Sequence, residues 1–133
     1  MNLNEIKQKK DNAVSECLKT NGVFFAFSTE QFEKNKTPLE AGDKYADIGM
    51  GGFIPKSKVG TYLRGMKDLM STFEKDIEEN NMREQYVLYE LNNHEAFYTM
   101  SIESTQEALI GSYTPEEIWG IYRKYNAKKY ITN

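Results

Sequence analysis

The chain has one cysteine, one histidine, one tryptophan and three prolines among 133 residues, and each scarcity removes a class of explanation. A lone thiol, Cys17, cannot close an internal disulfide, so a packed core has to hold the fold. A lone imidazole, His94, leaves carboxylates to supply most of the ligands of any zinc site. No apolar run approaches the roughly 18 residues of a membrane span, and the N-terminal stretch MNLNEIKQKK has no apolar segment of the secretory kind. The expectation is a cytoplasmic protein with no membrane segment, no bound metal and no cofactor.

What is present suits one folded domain over residues 1–133. The chain is 39% hydrophobic and 13% aromatic, enough to bury a core and too much for a disordered tail. The net charge is only −3, but its distribution is uneven. Residues 68–117 carry twelve acids against Lys75 and Arg83, whereas the tail from 118 is basic through Arg123, Lys124, Lys128 and Lys129. Such an acidic middle repels a phosphate backbone, which disfavours direct nucleic-acid binding through it. The acids read either as the solvated face of amphipathic helices or as a surface for a basic partner. In the second reading Glu74, Asp76, Glu78, Glu79 and Glu84 are the contacts.

Periodicity orders the chain. Leu3, Ile6, Val14, Cys17 and Leu18 recur at helical spacing up to Asn21-Gly22, where glycine supplies a left-handed cap. Cys17 lies on that apolar stripe and reads as core packing. Val23 to Phe27 is a short aromatic run with the look of a buried strand, and Ser28 with Gln31 forms a capping box that opens a short helix and turns Phe32 inward. Residues 34–43 are polar and form a loop, and Lys44 to Ile48 read as a second strand paired with the first.

From Ser57 to Glu79 the residues Val59, Tyr62, Leu63, Met66, Leu69, Met70, Phe73 and Ile77 fall on one side of a helix, which predicts a long amphipathic helix capped by Ser57 with this ridge buried. Gly60 and Gly65 fall on its polar side. A further helix runs from Met82 to about Asn93, and Ser104 with Glu107 caps a short one that stops at Gly111. Thr114-Pro115-Glu116-Glu117 opens the last helix, whose end from about residue 127 is expected to be flexible. The resulting class is α+β: four to six helices around a small antiparallel hairpin made from 23–27 and 44–54.

Two stretches invite a chemical reading. In IGMGGFIPKSK, Gly49, Gly51 and Gly52 precede Lys56, Ser57 and Lys58, the ingredients of an anion cradle. The spacing fails both the P-loop, which needs glycine directly before the lysine where Pro55 stands, and the dinucleotide fingerprint, which needs a glycine at Ile54. A tight turn or bulge at a strand end explains the glycines as well. In YELNNHE, Glu90 and His94 are one helical turn apart and Glu95 follows, a spacing open to acid–base work. Asn92-Asn93 favours a helix end instead, where His94 complements the negative pole.

The segments FFAFSTEQF (24–32), GDKYADIGMGGFIPKS (42–57) and NNMREQYVLYELNNHEAFYT (80–99), in that order and continued by YTPEEI, resemble a family of small uncharacterised proteins encoded by bacteriophages and mobile elements of bacteria. The resemblance implies a genetic setting and no activity, cofactor or catalytic residue. The reading that follows is a non-enzymatic accessory protein that binds a host or phage macromolecule, in one version inhibiting a basic, nucleic-acid-handling protein. The alternatives are a nucleotide- or anion-binding module at Gly49–Lys58 and, third, an enzyme using His94 with Glu90, Glu95 and Tyr98. An exposed Tyr or Trp cluster favours a macromolecular partner, and a deep pocket at the glycines favours a small ligand.

Overall fold

The structure, a computed structural model, describes the backbone of residues 1–132 and the side chains of residues 1–127, so the tail expected to be flexible from about 127 falls, in its side chains, outside the described residues. The fold is α+β and predominantly helical, with one small antiparallel sheet. Seven α-helices occur among the described residues rather than four to six, the unanticipated one being the single turn Ala96–Thr99. None of them is long and apolar enough to cross a membrane. By internal contacts the chain divides into two compact units, Asn4–Asp76 and Ile77–Asn133 with Met1–Leu3.

The first unit opens with α1 (Leu3–Thr20), closed as the sequence suggests. Gly22 takes φ +69°, its N–H reaches Lys19 O at 3.2 Å, and the Val23 N–H reaches Leu18 O at 3.0 Å, the paired bonds of a Schellman end. Strand β1 (Phe24–Phe25) follows, then α2 (Thr29–Asn35). Ser28 Oγ accepts from the Gln31 N–H at 3.1 Å, while Gln31 Oε1 takes the N–H of Phe27 at 2.8 Å, one residue earlier than a capping box requires. Strands β2 (Tyr45–Gly49) and β3 (Gly52–Pro55) complete the sheet, and a 3₁₀ turn at Lys56–Lys58 leads into α3 (Val59–Glu79).

The strand order is β1-β3-β2, which corrects the expected pairing of 23–27 with 44–48. Phe24 pairs with Phe53 and Phe25 with Gly52, whereas β2 pairs only with β3. The reason is the turn: Met50 and Gly51 both hold positive φ, the requirement of a two-residue type I′ hairpin, and they fold 52–55 back between the other two strands. Ile48 is the extra residue of a bulge between Asp47 and Gly49. Central β3 contributes the fully buried Ile54. On one side Phe24, Phe32, Tyr45 and Phe53 form a cluster with ring centroids 5.1–5.6 Å apart, mostly edge to face.

The amphipathic ridge is buried in part. Phe73 and Ile77 are buried, Val59, Tyr62, Met66 and Leu69 half-buried, and Leu63 and Met70 exposed, which corrects the expectation of a continuous interior ridge. Gly65 is also misplaced by the helical wheel: a Cβ on it would stand 2.9 Å from Cys17 Sγ, so its role is to let α1 and α3 approach. Ser57 caps nothing with its hydroxyl, which donates to Asp43 Oδ2 at 2.6 Å.

The second unit holds α4 (Arg83–Asn93), α5 (Ala96–Thr99), α6 (Glu103–Ala108) and α7 (Pro115–Thr132). Its core is Val87, Leu91, Ala96, Leu109, Tyr113, Ile118 and Tyr122. Thr114 caps α7 as expected, its Oγ1 accepting from the Glu117 N–H at 3.2 Å. Ser104 sits inside α6, not at its cap, because the chain already turns helical at Glu103, whose N–H is directed to Ser101 Oγ at 3.4 Å.

Two glycine-to-alanine variants separate propensity from packing. Gly120, in α7 with open space around its Cβ position, should gain about 0.5–1 kcal/mol as Gly120→Ala. Gly65→Ala should instead destabilise, because the Cys17 contact outweighs the same gain in propensity. Urea melts of the two variants against wild type should therefore shift in opposite directions.

Candidate functional site

His94 is the C-cap of α4, with φ −96° and its N–H bonded to Glu90 O at 3.0 Å. Val87 and Leu91, both fully buried, fix the rotation of the helix and so leave Glu90 and His94 on one half-buried side. Nε2 of His94 stands 3.4 Å from Glu90 Oε2. Glu95 then steps into the left-handed region at φ +55° and is exposed, as is Tyr98. The arrangement is a helix terminus with one imidazole–carboxylate contact. Among the described residues no three His, Cys, Asp or Glu side chains converge as a metal would require.

The glycine-rich stretch is the hairpin turn. Gly49 has nothing within 4 Å of a Cβ position, so no walls stand over it. Downstream, the donors expected to cradle an anion already hold one from the chain itself. Asp43 Oδ1 accepts from the Ser57 N–H at 3.2 Å and the Lys44 N–H at 2.8 Å, and its Oδ2 accepts the Ser57 hydroxyl. Lys56 adds an attractive charge, and Lys56 and Lys58 are otherwise exposed. The Ser57 hydroxyl, then the Lys44 amide, hold the Asp43 carboxyl below its usual value.

Of the five acids expected to meet a basic partner, three meet bases of the chain. Asp76 pairs with Lys9 at 2.8 Å, Glu84 with Lys124 at 2.6 Å, and Glu78 with Arg83. Glu74 and Glu79 also have interactions within the structure. Their joint charge toward solvent is therefore smaller than the sequence implies.

A surface that sequence reasoning missed lies at the hairpin tip. Phe25, Phe27 and Met50 are exposed, Phe27 by 77% and Met50 by 91%. A Cβ on Gly51 would overlap the Phe27 ring, and one on Gly52 would stand 3.1 Å from Phe25 and 2.9 Å from Ile48, so two glycines serve as flat seats for these side chains. The backbone beneath is pinned: Ala26 N–H to Gly51 O at 2.9 Å, Phe27 N–H to Gln31 Oε1 at 2.8 Å, and Asn35 Nδ2 to Phe25 O at 2.9 Å. Beside Phe27 an open groove of about 440 Å³ is lined by Ala26, Ser28, Thr29, Phe32 and Phe53, without a basic residue. The signal was available in the alternation of FFAF, which puts Phe25 and Phe27 on the face opposite Phe24.

Compared with known proteins, the chain matches over residues 3–131 a model described as Family of unknown function (DUF7659), and it belongs to that family. No curated protein and no solved structure matches it.

Two predictions test the local assignments. Because the folded-state pKa of Asp43 lies below its unfolded value of 3.8, its contribution is present above that pH and lost as pH falls through the folded value. Wild type and Asp43→Asn should therefore differ in urea stability at about pH 7 and converge as the pH falls below the usual carboxylate range. Glu95→Gly should stabilise by about 1 kcal/mol, since glycine removes the left-handed penalty at φ +55°.

Proposed function

We propose that this chain is a non-catalytic accessory protein of a bacteriophage or mobile element, acting in the bacterial cytoplasm by binding a host or phage macromolecule through its hairpin tip. The observation that carries the reading is the exposure of Phe25, Phe27 and Met50 where the end of β1 is bonded to the β2–β3 turn. Burying such a side chain is worth about 1.5–3 kcal/mol, so leaving these in water forgoes a gain that a partner would recover. A surface already held by backbone bonds loses little entropy on docking, which favours tight binding. The likeness of FFAFSTEQF and GDKYADIGMGGFIPKS to phage and mobile-element proteins supports the genetic setting, and both segments contribute to the tip.

The small-ligand reading at Gly49–Lys58 has weaker support. Asp43 engages the amide and hydroxyl of Ser57 that an anion would need, and the groove beside Phe27 offers rings and two hydroxyls in place of cations. The purely electrostatic version at Glu74–Glu84 is weakened by Lys9, Arg83 and Lys124.

The test is affinity purification of the tagged full chain from its native or infected host, in parallel with Phe27→Ser/Met50→Ser. Wild type should retain a stoichiometric macromolecule that survives added salt, and the double variant should lose it while keeping its far-UV spectrum and melting temperature. Retention by the double variant, or co-elution of a small molecule alone, would refute the reading.

A further inference from the structure

On α6, Glu103 and Glu107 are exposed, one turn apart on the same face, and meet no base among the described residues. Like charges at that spacing repel, a cost that a cation between them would relieve. They border a groove of about 170 Å³ with an apolar lining: Ile118 and Tyr113 are buried in its floor, and Pro115 and Ile110 form its wall. Ile110 is 82% exposed, beside a groove too small for the roughly 300–1,000 Å³ of small-molecule sites but suited to one apolar side chain.

We propose that this groove receives a basic amphipathic protein segment, with one apolar side chain against Ile110 and Tyr113 and lysine or arginine residues between Glu103 and Glu107. The inference rests on the reading that the chain binds a protein and places the basic-partner surface on α6 and the start of α7. Charge complementarity selects the occupant: phosphate backbones are repelled by the same two carboxylates, and an uncharged apolar peptide would leave them unrelieved. The groove shares no residue with the hairpin tip, so the two surfaces can be tested separately.

The probe is a fluorescein-labelled peptide of leucine and lysine in helical pattern, with a leucine–glutamate peptide of the same pattern as control, titrated by anisotropy against the full chain. Glu103→Gln/Glu107→Gln should raise Kd for the lysine peptide about tenfold, and Ile110→Ser should do likewise. Glu16→Gln/Glu40→Gln, which removes the same charge elsewhere, should leave Kd unchanged, and the glutamate peptide should not bind. Equal weakening by both charge pairs, an unchanged Kd in Ile110→Ser, or a wild-type dimer that dissociates in the groove variants would overturn the proposal. The last result would put a second copy in the groove. Failure of the wider reading would instead register in the purification experiment, as a chain that carries no macromolecule.

Discussion

One guanidinium holds the second unit together. Arg83 bonds through Nε and one terminal nitrogen to Glu117, through the other terminal nitrogen to Glu78, and at 2.9 Å to the carbonyl of Ser112, with its plane 4.1 Å over the Tyr113 ring. These contacts tie the end of α3, the start of α4, the turn before α7 and the first turn of α7 to a single side chain. Its charge is held on more firmly than in free arginine, first by the Glu117 hydrogen bond. Because the side chain is 36% exposed, each pair alone is worth at most about 1 kcal/mol. Its importance is geometric: a planar fork donates to its partners only in one arrangement, so it orients the first turn of α7 against α4 and hence sets how Ile118 and Tyr122 enter the core.

The same clamp shapes the outer surface. By taking Glu78 and Glu117 it removes two of the twelve acids between 68 and 117 from the field seen by solvent, and Lys9 and Lys124 remove Asp76 and Glu84. What remains for a partner is set by pairing, not by composition, and the unpaired carboxylates of α6 stand where an apolar groove opens. In the first unit glycine does comparable work at the sheet. Gly51 and Gly52 have no side chains, so Phe27 and Phe25 lie flat across the hairpin and face solvent.

The helices were largely legible because their signals are local. The ends of α1 at Asn21-Gly22 and the start of α7 at Thr114-Pro115 depend on residues within a few positions of one another. His94 likewise read correctly as a terminus, since Asn92-Asn93 and a following break are local features. The pairing of β1 with β3 was not legible: two residues of strand contain no record of which neighbour they meet. Nor was Gly65, whose small size answers to Cys17, distant in sequence, and not to its own helix.

By itself the sequence determined an α+β chain with a long amphipathic helix, a capped final helix and a glycine turn, because backbone propensity and periodicity act over one or two turns. The tertiary structure decided which carboxylates stay unpaired for a partner, which aromatic rings stay in water and which glycines admit a neighbour. Those outcomes depend on distances between side chains far apart in sequence, and Coulomb attraction and close packing register such distances only once the chain has folded.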